Sequence, residues 1–210
     1  MDETLYAAAV LFNAGEYRPA QTACHLIYQQ EDLSTDDQTV CMAFKESATA
    51  IDNAETHNWV SAATAASNAS TKFAAIRASQ PSIVHNQLCE YISTLSSDPV
   101  VIERRRVPSW YIDTERPTVA TLRFDAIGYA ASAIASHLED VDTDIIADAI
   151  QYGHDEVGTN SRTHTESDGF IGTLSVFVRD SDHRRLIYDR LYNHVERRRQ
   201  REQDIDGLFD

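Results

Sequence analysis

Apolar residues in this chain recur at intervals of three and four, and almost nowhere at intervals of two. Trp59, Ala62, Ala66, Ala69, Phe73 and Ile76 are separated by three, four, three, four and three positions. Those steps gather all six on one side of a helix and would split them between both faces of a strand. Half of them are alanine, so the seam admits a close helical neighbour. The same period returns in Val40, Ala43, Phe44, Ala48 and Ile51, and again in Leu88, Tyr91, Ile92 and Leu95. The expectation is an all-α fold of antiparallel helical hairpins packed as an array, with a C-terminal helical extension.

Turn chemistry punctuates the pattern. A first helix over 4–13 should stop at Gly15. A second starts near Glu16 with Pro19 in its first turn, where a missing N–H costs little. Its apolar face is Ala20, Ala23, Cys24, Ile27 and Tyr28. Ser34 to Asp37 has capping-box spacing for a third helix, and His57-Asn58 separates the third from the fourth. Pro81 should end the fourth helix. From Ser96 to Pro117 the character changes, with Pro99, Pro108 and Pro117 beside Arg104-Arg105-Arg106 and Trp110-Tyr111-Ile112. Proline at that density prevents a continuous helix, while the aromatics seek burial. This segment reads as an extended strap and as the boundary between a domain at 1–95 and a helical subdomain at 118–210. Beyond it Ile127 to Leu138, then Ile146, Ala149 and Ile150, repeat the helical period, with Asp142 as a cap. The polar run 155–167 reads as a loop. Helices started by Ser167 or Asp168 and capped by Ser181 follow, and the apolar tail 205–209 is suited to docking.

Charge bounds the setting. The 210 residues carry 33 acidic and 18 basic side chains, a net of −15, and only Lys45 and Lys72 are lysines. Hydrated carboxylates in place of lysine stems point to a halophilic protein. Their mutual repulsion is tolerable where the Debye length falls to roughly 3 Å at molar salt. Such a balance argues against generic nucleic-acid binding, which needs a basic footprint. No apolar run approaches the roughly 20 residues of a membrane span. Cys24, Cys41 and Cys89 form no paired motif, and no basic leader precedes Met1-Asp2-Glu3, so a reduced cytoplasm is expected.

The segment Gly15-Glu16-Tyr17-Arg18-Pro19-Ala20 resembles the opening of the helical family known as domain of unknown function three hundred and nine. The family pattern is a glycine turn, Glu/Asp-Tyr/Phe, two residues, then Ala-His-Glu-x-x-Glu-x-x-Trp. Here Gln21 stands at the histidine, Thr22 at the first glutamate, His25 at the second and Tyr28 at the tryptophan. The family's next helix carries Gln-x-Ala-Ala-Ala followed by a histidine; this chain has Glu46 at the glutamine and Asn53 at that histidine. Asn58-Trp59-Val60-Ser61-Ala62 is similar to the start of the family's following helix. The resemblance covers about residues 4–80 and implies a small all-helical fold of haloarchaeal type. In the family, the facing histidines and carboxylates imply metal binding or proton relay. Gln21, Thr22 and Asn53 support neither at neutral pH. His25 and Glu46 remain as a residual pair.

Other constellations carry less. Cys24 and His25 are successive on a helix and point about 100° apart, so they do not share a proton. Asp140-x-Asp142-x-Asp144 starts like a calcium loop, but Ile145 and Gln151 stand where glycine and glutamate are needed. His154, Asp155, Glu156 and His164 lack a second ligand pair with metal spacing. No cofactor or metal is expected. Arg104, Arg105, Arg106 and Arg197, Arg198, Arg199 stand out in so acidic a chain. They are expected to grip carboxylates of other helices or of a partner, with an RNA contact or a solvated face as the alternatives. The expectation for function is a non-enzymatic interaction or scaffold role, with protein partners or self-association and no membrane. The alternative is an enzyme or small-molecule binder working between the first helices.

Overall fold

The computed structural model describes residues 3–28, 35–79, 86–112, 115–159 and 169–206. Among these residues every regular element is helical: α1 (Glu3–Asn13), α2 (Tyr17–Tyr28), α3 (Thr35–Glu55), α4 (Trp59–Ser79), α5 (Asn86–Ser97), α6 (Phe124–Ala135), α7 (Thr143–Thr159), α8 (Phe170–Arg179) and α9 (Arg184–Asp206). The fold is an all-α helical array. The chain divides into two compact units, residues 1–133 and 134–210. Among the described residues no helix is long and apolar enough to cross a membrane.

In the first unit α1 packs on α2, α2 on α3, α3 on α4 and α4 on α5. Two of the turns share one device. At the end of α1 the Gly15 N–H donates to Phe12 O at 3.0 Å and the Glu16 N–H to Leu11 O at 2.9 Å. At the end of α3 the His57 N–H donates to Ala54 O at 3.0 Å and the Asn58 N–H to Asn53 O at 2.7 Å. Both are Schellman closures, which satisfy the last carbonyls of a helix by passing one residue through left-handed backbone space. Gly15 has φ +81° and His57 has φ +59°. Glycine adopts that conformation without strain; histidine does not. A Cβ at Gly15 would meet nothing within 4 Å, so Gly15→Ala should cost about 1 kcal/mol through backbone conformation alone. His57→Gly should stabilise by several tenths of a kcal/mol, because the contacts it loses, His57 Nε2 to Glu103 at 3.8 Å and the ring of Trp59, involve an exposed side chain and are weak. Denaturant midpoints of the two variants check this, and equal signs would refute it.

The strap opens with a 3-10 turn, Pro99–Glu103, and runs extended to an isolated antiparallel bridge between Ile112 and Glu115. It belongs to the first unit. Trp110 is 1% exposed. It stacks on Phe44 and meets Phe12 and Phe73 edge-on at 5.7 and 5.9 Å between ring centroids. The side chain of Asn13 fixes the backbone there. Asn13 Nδ2 donates to Trp110 O at 2.9 Å, and the Trp110 N–H donates to Asn13 Oδ1 at 2.6 Å. One amide thus satisfies both polar groups of a buried, non-helical residue, as a neighbouring strand would. Arg116 adds a longer bond to Asn13 O.

The second unit packs α7, α8 and α9 against one another around Ile145, Ile146, Leu174, Phe177, Leu191 and Val195. Asp142 caps α7, accepting from the Asp144 N–H at 2.9 Å. The loop expected from residue 155 is instead helix to Thr159, because its polar side chains lie outward while Gly153 stays buried. Glu156 then serves α8: its carboxylate accepts from the N–H groups of Phe170 and Ile171 at 3.1 and 3.3 Å. A carboxylate suits the positive end of a helix. Ser181 does not cap α9, which begins at Arg184; Asp180 turns back to accept from the His183 N–H at 3.2 Å. Tyr28, assigned above to an apolar face, is 49% exposed, since it ends α2 beyond the buried Cys24. Asp140 pairs with Arg185 rather than completing a cation loop. Ser34, Pro81, Val84, His164 and the tail 207–210 lie outside the described residues, as does the side chain of Ile205.

Candidate functional site

The α2–α3 hairpin sets the geometry of the six polar positions singled out above. Arg18 Nε contacts Asp52 Oδ1 at 3.1 Å, which fixes the antiparallel register. From Arg18 the hairpin runs seven residues to His25 on one helix, and from Glu46 six residues to Asp52 on the other. At 1.5 Å per residue, each interval spans about 10 Å. His25 and Glu46 therefore lie at about the same level of the hairpin, while Gln21 and Thr22 fall between them and the contact and Asn53 lies at its other end.

Each has its own environment. Gln21 is half-buried, and its Nε2 atom is buried without a hydrogen-bond partner. Thr22 and Glu46 are half-buried, and His25 and Tyr28 are exposed. Glu46 makes no hydrogen bond or ion pair among the described residues, so His25 and Glu46 do not meet. Asn53 is committed to the end of α3. Its Nδ2 donates to Thr49 O at 2.8 Å, and its Oδ1 accepts from Asn58 Nδ2 at 3.0 Å. Cys24 is fully buried, and burial, with the neighbouring Cys41 thiol second, pushes its thiol pKa well up; it is a core thiol, not an activated one. Among the described residues no group of three His, Cys, Asp or Glu side chains is placed to hold a metal.

A second polar cluster, absent from the sequence reading, lies in the same unit. Tyr17 opens α2, Glu55 closes α3 and Tyr91 comes from α5. Desolvation raises the pKa of all three, and the Glu55 carboxylate raises both phenols further. Tyr91 is pushed up to about 12. It is 5% exposed, and its hydroxyl has no hydrogen-bond partner among the described residues. Sequence periodicity marked Tyr91 as core and could not show that its oxygen would be stranded. A buried, unsatisfied hydroxyl costs about 1–3 kcal/mol, so Tyr91→Phe should raise stability at neutral pH by about 1 kcal/mol. Its folded-state pKa lies above the ordinary phenol value of 10.0. The linked stability is therefore fully present below pH 10 and is lost as pH rises towards about 12. The alkaline loss should be shallower in Tyr91→Phe. An unchanged alkaline limb, or a lower melting temperature at pH 7, would refute the assignment.

A groove opens elsewhere in this unit. About 430 Å³ in volume, it lies between α4 and α5 and is lined by Ser70, Phe73, Cys89, Glu90, Ser93 and Thr94 among others. None of the six hairpin positions reaches it.

The two arginine triplets differ in kind. In the second unit Arg199 takes Asp148 with Nε and Nη2 at 2.7 and 2.6 Å, and Glu196 with Nη1 at 2.8 Å. Arg198 bonds Glu202 at 2.8 Å and lies over the Tyr152 ring. Arg197 donates to Asn193 O. These bonds tie α9 to α7 and to itself. In the strap Arg104 pairs with Asp98. Arg105 and Arg106 are exposed, and their side chains make no hydrogen bond or ion pair among the described residues.

The chain matches no protein-family model, no curated protein and no solved structure.

Proposed function

We propose that this chain is a non-enzymatic helical interaction protein of a salt-rich cytoplasm, a haloarchaeal-type relative of the family named above whose polar site has degenerated. The observation that carries the reading is Asn53. The residue standing at a family histidine spends both ends of its amide on closing α3. An amide so committed neither ligates nor relays a proton. The exposed His25 and the uncommitted Glu46, with no hydrogen bond or ion pair between them, support the same reading. Acidic surface charge supports the high-salt setting.

One observation favours the alternative of a small-molecule binder. Gln21 Nε2 is a buried donor without a partner, as a wall waiting for a ligand's acceptor would be. The two readings separate in one experiment. The chain is affinity-purified from its native cytoplasm at high salt, and bound proteins and small molecules are identified for wild type and Gln21→Leu. A protein partner retained by both forms is the expected result. A small molecule carried by wild type and lost from Gln21→Leu overturns it.

A further inference from the structure

The two strap arginines without partners follow directly on the 3-10 turn that carries the exposed Val100, the Arg105 N–H donating to Val101 O at 2.9 Å. The 3-10 turn Pro99–Glu103 packs on α3 and α4. Glu103 reaches His57 Nε2 at 3.8 Å. In a 3-10 turn residues three apart share a face, so Val100 lies on the side that Glu103 presents to His57. Val100 is 37% exposed, and Val60, in the first turn of α4, is 80% exposed. The His57 ring lies 5.0 Å from that of the half-buried Trp59. No acidic residue occupies the first turn of α4. His57 holds left-handed backbone here without glycine, and such strain tends to persist where a surface is used.

We propose that this end of the first unit docks an acidic segment of another protein, whose carboxylates take Arg105 and Arg106 and whose apolar side chains cover Val60 and Val100. The proposal rests on the interaction reading above. Charge complementarity carries the choice of occupant. In a chain of net −15 carboxylates abound, yet two adjacent guanidinium groups remain without one. Arg179, Arg190 and Arg201 are also unpaired among the described residues, but none of them adjoins another unpaired arginine in sequence. Guanidinium binds carboxylate with two parallel hydrogen bonds. Molar salt screens long-range attraction but strengthens apolar burial, so a mixed patch holds where a purely ionic one would not. A nucleic acid held through its phosphates alone would be released in molar salt.

The test uses the full chain in molar KCl and a short synthetic peptide carrying a run of aspartates beside leucines. Trp59 fluorescence and calorimetry read the binding. Saturable binding is expected, weakened at least about tenfold by the Arg105→Ala/Arg106→Ala pair and by Val60→Ser, and unaltered by Arg190→Ala. All of these side chains are exposed, and unchanged circular dichroism verifies the fold. Equal binding of the peptide with asparagine for aspartate overturns the proposal. So does absence of saturation, or an RNA oligonucleotide that competes at the same arginines. Self-association abolished by the arginine pair would replace the foreign segment with a second copy and overturn it likewise. Partners recovered from the native cytoplasm equally by wild type and by the arginine pair would leave the interaction reading standing while this site falls.

Discussion

Trp110→Ala should destabilise the first unit by about 3–5 kcal/mol, the range for removing a fully buried large aromatic. Every wall of its pocket comes from a different element: Phe12 from α1, Phe44 from α3 and Phe73 from α4. No single wall can close the void without moving a helix, so relaxation recovers little. The strap then loses its largest buried side chain, and the loss should appear as a lower denaturant midpoint with an early change near the strap. Trp110→Phe should cost much less, since the Asn13 clamp holds backbone and survives the swap. Asn13→Ala isolates the clamp. It leaves the N–H and C=O of a buried residue unpaired, at about 1–3 kcal/mol. Were Trp110→Ala to cost under about 1 kcal/mol, the strap would be a surface ornament and this account of the first unit would fail.

What the sequence revealed and what it hid divide along sequence separation. The faces Val40–Ile51 and Ala62–Ile76 were legible because helical period is local, and both are buried where the spacing put them. Gly15 was legible because a glycine after an apolar run is a local stop signal. His57 was read as a break, but nothing in its identity announces left-handed backbone. Trp110 was expected to be buried, yet its partner Asn13 lies 97 residues away, and no pattern of spacing reports such a pairing. Glu156 misled for the same reason: its exposed, polar neighbours read as loop, while its work is at a helix start 14 residues on. The stranded Tyr91 hydroxyl was equally hidden, because whether an oxygen finds a partner depends on how three helices meet. The hairpin positions were legible as residues, but Asn53's commitment to Thr49 and Asn58 emerged only from the structure of the turn.

Lowering KCl from molar to roughly 0.1 M should lower the melting temperature by on the order of 10 °C or more and broaden the transition. The described arginines explain why. Arg18, Arg104, Arg185, Arg198 and Arg199 are already paired with Asp52, Asp98, Asp140, Glu202 and Asp148, so these bases have little left to offset the remaining acids. Exposed pairs of this kind add little stability themselves. The excess carboxylates repel across distances that salt of roughly 0.1 M screens only beyond about 10 Å. Two effects of salt must be separated, because concentrated salts also strengthen apolar burial. Sucrose reproduces exclusion without screening, so it should rescue the low-salt protein only in part. Neutralising Asp182, Asp189 and Asp204 to asparagine removes three exposed charges and takes the net from −15 to −12. That variant should need less KCl to reach the same melting temperature while matching wild type at molar salt. A salt requirement unmoved by the three substitutions, or fully replaced by sucrose, would mean that packing rather than charge repulsion sets the salt dependence.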